Sequence, residues 1–320
     1  MSSPTFVAVD GRRTRVRVDG DPDNPPVLLL HGVGRSLEDW AAQWQRLACT
    51  HRVITLDIPG FGFSSRPSES VTLEALAQGV VDALDALGEQ RPLDVIGNSL
   101  GGAVALQLLV LQPHRVASLV LVNSAGFGRE VTVLLRMLTL PVIGRMTTLR
   151  TTRASGRILE RAIFADRSLA STHRIEHAVA IGSQPDSGIV MREIARELAT
   201  GRGVKYEWRA ELSSAAARHP RPTLIIWGDR DRILPVCHLK TAQRLMPHAK
   251  THLFSGIGHM PQIECPDEFA NVVLDFLAGA ASRGDDGKRC STLNARHSSA
   301  THSSATHSST THSSATSPVR

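Results

Sequence analysis

The sequence predicts an α/β fold: a mostly parallel, eight-stranded sheet with helices on both faces. Two observations carry this. Short apolar runs of strand length alternate with amphipathic helical stretches, and several of those runs are uniformly apolar, as strands covered on both faces are. The elements follow in order. Phe6–Val9 and Thr14–Val18 flank Asp10-Gly11 and form an opening antiparallel hairpin. Pro26–Leu30 is a continuous apolar run. Leu37–Leu47 has helical periodicity, with Trp40, Trp44 and Leu47 on one stripe. Val53–Leu56 is the next strand, and Thr72–Leu87 an amphipathic helix closed by Gly88. Leu93–Ile96, Leu119–Val122 and Thr223–Trp227 repeat the buried-strand pattern, and Thr251–Phe254 is a weaker last one. Ser99–Leu111, Val236–Leu245 and Asp267–Leu277 are the helices between and after them.

The alternation stops between Gly128 and Arg218, where helical periodicity and many arginines take over. The organisation expected is a core in two parts, 1–127 and 219–280, with a helical cap or lid over 128–218. Such an insertion lies over the carboxyl ends of the strands, where an open α/β sheet places its ligand crevice. From about Ala281 the composition shifts again. His297, His302, His307 and His312 recur every five residues in a Ser/Ala/Thr tract. That tract has too little apolar surface to offset its ordering entropy, so 281–320 is expected to be disordered.

The chain has 320 residues, 42% hydrophobic and 21% charged, within the range of a globular enzyme. Aromatics make up 4% with one tyrosine, which argues against a base-stacking surface. The net charge of +6 is spread along the chain and gives no nucleic-acid-binding arm. Cys49, Cys237, Cys265 and Cys290 have no CxxC or zinc-type spacing and read as isolated reduced thiols; no metal site is expected. Met1–Asp10 lacks the apolar run of a signal peptide, and no stretch is apolar enough to span a bilayer. A cytoplasmic location is the expectation.

The chemistry concentrates in three places. Gly97-Asn98-Ser99-Leu100-Gly101-Gly102 follows a buried strand and opens a helix. A serine on such a tight turn exposes its hydroxyl, and the first backbone N–H groups of the helix point at a reacting carbonyl. The hydroxyl needs a base. His259, in Ser255-Gly256-Ile257-Gly258-His259-Met260-Pro261, sits after the last strand and before the last long helix, where it can reach back over the sheet edge. An acid must then hold the imidazole tautomer. The turn after Trp227 supplies Asp229 and Asp231. Asp231 is preferred, because a carboxylate directly after glycine more often serves the turn itself; Asp229 is its competitor.

These motifs resemble those of the α/β-hydrolase superfamily over nearly the whole chain before the tail. His31-Gly32-Val33-Gly34 is similar to the family's oxyanion loop, and Asp57-Ile58-Pro59-Gly60-Phe61-Gly62-Phe63-Ser64 to the turn after its next strand. The stretch from Gly228 to Pro235 matches the family's acid pattern, and Pro261 and Glu264 match its histidine loop. The resemblance implies a Ser99–His259–Asp231 triad with backbone N–H donors at Val33 and Leu100. His31, Gly32, Gly34 and Asn98 are then supporting residues, and Asp57 braces its turn.

The same resemblance implies carboxylic-ester hydrolysis, requiring no metal or organic cofactor, with two alternatives. Gly-Asn-Ser followed by two glycines is similar to hydrolases that cleave carbon–carbon bonds of ring-fission dienones. In that subgroup a tryptophan commonly follows the histidine, where Met260 stands here, and a lid arginine contributes; Arg192 and Arg196 are both available. A non-catalytic small-molecule receptor of the same fold is the other alternative. Ser99 excludes the dehalogenase and epoxide hydrolase chemistry that needs aspartate at that turn. The expected ligand is a small acyl ester rather than nucleic acid. The leucines, valines and methionines of Val131–Leu149, with Arg129, Arg136, Arg145 and Arg150 interspersed, suggest lipophilic esters; the apolar face is expected to close the crevice under a solvated basic face, the alternative being a peripheral contact of this basic lid with a membrane surface.

Overall fold

In the computed structural model, which describes residues 2–280, the opening hairpin pairs β1 (Thr5–Val9) with β2 (Arg12–Asp19). It turns at Asp10 and Gly11, both at positive φ (47° and 75°), as a tight hairpin turn requires. The strands that follow are β3 (Pro26–Leu30), β4 (Arg52–Leu56), β5 (Leu93–Asn98), β6 (Val116–Val122), the short pair β7 (Ala199–Thr200) and β8 (Gly203–Val204), then β9 (Thr223–Gly228) and β10 (Lys250–Phe254). Eight of them form one sheet in the order β1-β2-β4-β3-β5-β6-β9-β10. Pairing is antiparallel for β1 with β2 and β2 with β4, and parallel from β4 to β10. This is the mostly parallel sheet read from the sequence.

The uniform apolar runs have a simple cause. Along β3, Leu28 and Leu30 pack into one core while Val27 and Leu29 pack into the other. With both faces covered, the two-residue alternation of side chains produces no polar position. The first core is completed by α2 (Leu73–Ala86) and α3 (Leu100–Leu111), through residues such as Leu76, Val80, Val104 and Leu108. The second takes Trp40, Trp44 and Leu47 from the segment before β4, and Phe269, Val273 and Phe276 from a last helix that begins at residue 266. Thr72 caps α2 by accepting the Ala75 N–H at 3.1 Å.

Two elements differ from the sequence reading. Leu37–Leu47 is not one helix: a 3-10 turn over Leu37–Trp40 precedes α1 (Ala41–Ala48). The tighter turn is anchored by the Leu37 N–H, which donates to Asp57 Oδ1 at 2.7 Å. The segment between β6 and β9 is helical but also contains the β7–β8 hairpin, whose two-residue strands are too short to leave a periodic signal. Its helices are α4 (Val133–Leu138), α5 (Pro141–Thr148), α6 (Arg153–Ile163), α7 (Thr172–Gly182), α8 (Ser187–Leu198) and α9 (Tyr206–Ala217). α10 (Cys237–Leu245) and α11 (Pro261–Glu264) complete the order before the last helix. The described residues up to Leu277 group into one compact unit. The tail from 281, with its histidines and Cys290, lies outside the described residues. No described helix is long and apolar enough to cross a membrane.

α3 lies very close to β3 at its first turn. A Cβ on Gly101 would lie 2.3 Å from the Leu30 carbonyl oxygen and 2.6 Å from that of His31. Both are backbone atoms and cannot swing aside. Gly101→Ala is therefore expected to lower the unfolding free energy by about 1–3 kcal/mol. Urea denaturation checks this, and an unchanged midpoint contradicts it.

Candidate active site

The carboxyl ends of β5, β6 and β9 and the loop after β10 converge on Ser99. The residue joins β5 to α3 at φ 56° and ψ −117°, a sparsely populated backbone conformation for a side chain. Its N–H donates to the Val122 carbonyl at 3.0 Å, and its own carbonyl accepts the Ala125 N–H at 3.0 Å and the Gly102 N–H at 3.1 Å. Both backbone groups are thus tied to neighbouring elements. The turn also requires glycine before it: a Cβ on Gly97 would sit 2.3 Å from the Gly101 oxygen. Asn98, buried, donates from Nδ2 to the Val122 carbonyl at 3.2 Å and to the His259 carbonyl at 3.1 Å. One amide therefore ties the serine turn to the histidine loop.

His259 and Asp231 face each other in the buried interior. His259 Nδ1 lies 2.7 Å from Asp231 Oδ2, and Asn123 Nδ2 donates to the same oxygen at 2.6 Å. Oδ1 accepts the N–H groups of Ile233 at 2.7 Å and Leu234 at 3.0 Å. A carboxylate can only accept, so Nδ1 carries the proton of the neutral imidazole and Nε2 keeps the lone pair. Asp229 is occupied elsewhere. It accepts the Gly256 N–H at 2.7 Å and the Ser255 hydroxyl at 3.2 Å, holding the start of the loop that leads to His259. The structure therefore separates the two competing carboxylates by partner.

The loop after β3 lies against the serine. A Cβ on Gly32 would come within 3.3 Å of Ser99 Cβ. Among the described residues, neither the Val33 N–H nor the Leu100 N–H has a hydrogen-bond acceptor. Leu100 is the first residue of α3, whose leading N–H groups have no intrahelical acceptor. His31 is fully buried. Its Nδ1 lies 2.8 Å from the Gly32 carbonyl and its Nε2 accepts the Ile58 N–H at 2.9 Å. Burial pushes its pKa down, so it is a neutral strut between two loops. Asp57 braces its turn, accepting from Leu37 at 2.7 Å and from Phe63 at 2.8 Å; burial raises its carboxyl pKa. Gly34, at φ 67°, faces Met191 of α8, and Gly60 faces Val190 of the same helix.

The inserted helices are joined to both of these loops, a feature the sequence reading missed. Arg35, next to Gly34, ion-pairs with Asp39 through two contacts of 2.7 and 2.8 Å and with Glu160 of α6. Arg174 of α7 closes the ring, with Glu160 at 2.8 Å and Asp39 at 2.9 Å. Two cations and two anions alternate in a buried circuit, each charge facing two of opposite sign. Farther along, the Ile163 carbonyl at the end of α6 accepts the His259 N–H at 2.8 Å. Glu264 accepts the N–H groups of Ala165 at 2.8 Å, Gly258 at 3.0 Å and Met260 at 3.3 Å; burial raises its pKa. The last turn of α6 thus holds both the loop of Gly32–Gly34, through Glu160, and the loop of His259, through the Ile163 carbonyl.

Other predicted residues are placed as follows. Met260 is buried, directly after His259. Arg192 of α8 is bonded through Nη1 to the Thr148 hydroxyl, and Arg196 is exposed. Cys49, Cys237 and Cys265 are free thiols, and burial pushes Cys265 up to about 12. Glu130, Cys237 and His238 bring ligand atoms within 4.8 Å of one another, and His238 Nε2 faces Glu130 Oε2 at 3.1 Å.

The profile of the family described as the alpha/beta hydrolase fold matches residues 25–266. The chain belongs to this family. A 2-hydroxymuconate semialdehyde hydrolase of Pseudomonas putida is 33% identical over 274 residues, covering 84% of this chain and 92% of that protein. A variant of a meta-cleavage product hydrolase, CumD, superimposes with a TM-score of 0.72 at 25% identity, covering 86% of this chain and 98% of that one. A membrane phospholipase A has a TM-score of 0.67 at 26% identity, covering 87% and 86%. Hydrolase chemistry is thereby supported, across relatives that differ in the bond named.

Asn123→Ala removes one of the two donors to Asp231 Oδ2 and is expected to lower the hydrolytic kcat about ten- to a hundredfold, with the fold retained by circular dichroism. An unchanged kcat contradicts that placement. Burial alone would raise the Asp39 carboxyl pKa, but Arg35 and Arg174 outweigh it and hold the group below its usual range. A depressed folded-state pKa contributes stability above the unfolded value, about 4, that is lost as pH falls toward the folded one. The urea midpoint is expected to drop below about pH 4, and less steeply in Asp39→Asn. Equal slopes in the two proteins contradict the ring's part in this.

Proposed function

We propose that the chain hydrolyses carboxylic esters through an acyl-enzyme on Ser99. The observation that carries the reading is the 2.7 Å contact between His259 Nδ1 and Asp231, which leaves Nε2 with the lone pair of a base, on a loop that the Asn98 amide ties to the positive-φ turn of Ser99. In this mechanism Nε2 takes the Ser99 proton as Oγ attacks the carbonyl carbon. The open N–H groups of Val33 and Leu100 receive the negative oxygen of the tetrahedral intermediate. The imidazolium returns its proton to the leaving alkoxide, and water, activated by the same nitrogen, releases the acid and restores the serine. Asp231 orients the ring and balances its charge; it takes no proton itself. His31, Gly32, Gly34 and Asn98 hold the loops that frame this chemistry.

Lipophilic esters suit the site best. Met191 and Val190 of α8 lie over the loops at Gly34 and Gly60, so apolar side chains face the crevice beside the reactive loops. In this reading 128–218 acts as the cap. A second reading, carbon–carbon cleavage of a ring-fission dienone, is favoured by the relatives that carry that kind of name. Two features of this chain favour the ester instead. Met260 stands where a tryptophan commonly follows the histidine. Arg192 is engaged with Thr148 and Arg196 is exposed, so neither guanidinium is held ready for a substrate carboxylate.

A graded series of p-nitrophenyl esters assayed beside a synthetic ring-fission dienone tests the choice. The expectation is turnover of esters that is sustained as the acyl chain lengthens, dienone turnover far lower, and a loss of at least about a thousandfold in Ser99→Ala. Comparable dienone turnover would replace the ester reading with the second one. Binding without turnover of any member would favour a receptor.

A further inference from the structure

We propose that the outer side of α4 and α5 docks this protein onto an anionic phospholipid bilayer. On α5 and the residue after it, Val142, Met146 and Leu149 recur at the spacing of one helical stripe and are 70%, 67% and 70% exposed. Val133 of α4, 58% exposed, and Leu140 between the helices extend the apolar set. The inward side of α5 is formed by Gly144 and Thr148. Gly144 lies against the Leu138 carbonyl, and Thr148 lies beside Gly188 of α8 and bonds Arg192. The apolar stripe lies on the opposite, exposed side of the helix. A contiguous set of this kind marks an interaction surface more often than chance exposure does.

Charge selects the occupant. Residues 131–165 contain Arg136, Arg145, Arg150, Arg153, Arg157 and Arg161, and their single acid is Glu160. Glu160 is buried in the ring with Arg35 and Arg174, so it offsets none of this charge at the surface. Arg145, within the span of the stripe, and Arg150, directly after it, are exposed and have no carboxylate partner among the described residues. A second copy of the chain, meeting this side through a two-fold axis, would set arginines against arginines. An anionic bilayer meets both features at once: acyl chains for the stripe and phosphates for the guanidinium groups. A pocket of ≈ 290 Å³ lies beside it, lined by Arg129, Arg136, Arg202, Glu130, Val131 and Gly203. Leu140 packs near Gly201, so this pocket adjoins the apolar side. Glu130 is turned to His238, and three guanidinium groups suit a headgroup phosphate.

The docking needs no turnover, so it stands or falls separately from the roles given to Ser99 and His259. Flotation of the full chain with vesicles of phosphatidylcholine, or of phosphatidylcholine with one third phosphatidylglycerol, tests it. Binding to the anionic vesicles is expected to exceed that to the neutral ones at least about tenfold and to weaken with added salt. The variants Val142→Ser/Met146→Ser/Leu149→Ser and Arg145→Glu/Arg150→Glu are each expected to lose at least about tenfold of it, while melting like the parent. Should the triple variant fold poorly, Leu149→Ser and the charge-reversal pair carry the comparison. Equal partition into both vesicle types, no partition, or undiminished binding by both variants overturns the proposal. A concentration-dependent dimer that the triple variant dissolves overturns it too, assigning the stripe to a second copy.

Discussion

The site depends on one backbone constraint, the left-handed conformation of Ser99 between β5 and α3. The turn is a local cost of order 1–3 kcal/mol, and it persists because its surroundings fix it from several sides. Glycine at 97 and 101 lets the strand, the helix and the end of β3 approach within distances that a methyl group would forbid. The Val122 carbonyl and the Ala125 N–H then take the serine's own backbone groups. Parallel pairing contributes the rest. Because β3, β5, β6 and β9 run in the same direction, their following loops emerge at one edge, and the loops of Gly32, Asn123 and Asp231 arrive beside the serine without long excursions.

The helices between β6 and β9 are tied to the loops at that edge. α6 is fixed to the loop of Gly32–Gly34 by a closed ring of four charges and to the loop of His259 by the hydrogen bond from the His259 N–H to the Ile163 carbonyl. Desolvating four charges is expensive unless every one is paired, and here each has two partners. The ring gives little net stabilisation by itself compared with well-packed apolar side chains. Its effect is geometric: it fixes the position of α6 relative to two loops that come from opposite ends of the sequence. The apolar side chains of α8 over Gly34 and Gly60 are held in the same assembly.

Much of this was legible in the sequence, for physical reasons that differ by element. Buried strands of a parallel sheet carry a strong signal, so β3, β5, β6 and β9 could be located from composition alone. The serine turn was legible because glycines are required where backbones nearly touch. Asp231 was chosen over Asp229 on the argument that a carboxylate after glycine serves its turn, and Asp229 does accept from Gly256 and Ser255. Contacts set by tertiary structure were not legible. Asn123 looked like the polar end of a strand; only its φ of 44°, tolerated by asparagine better than by most residues, hints at a fixed role. Glu160 was a lone acid in a basic segment, which could have signalled a buried partner. Its pairing with Arg35, over a hundred residues away, has no local signature. The two-residue strands of the small hairpin are below the length at which periodicity means anything.

The central claim is that one alcohol, among the many serines and threonines of this chain, is chemically activated. Covalent capture by a fluorophosphonate, followed by peptide mass spectrometry, addresses it without knowledge of the substrate. The phosphonyl adduct is predicted on the peptide containing Ser99, absent in Ser99→Ala and strongly slowed in His259→Ala. Labelling that is distributed over other residues, or that persists unchanged when Ser99 is replaced, would contradict the account.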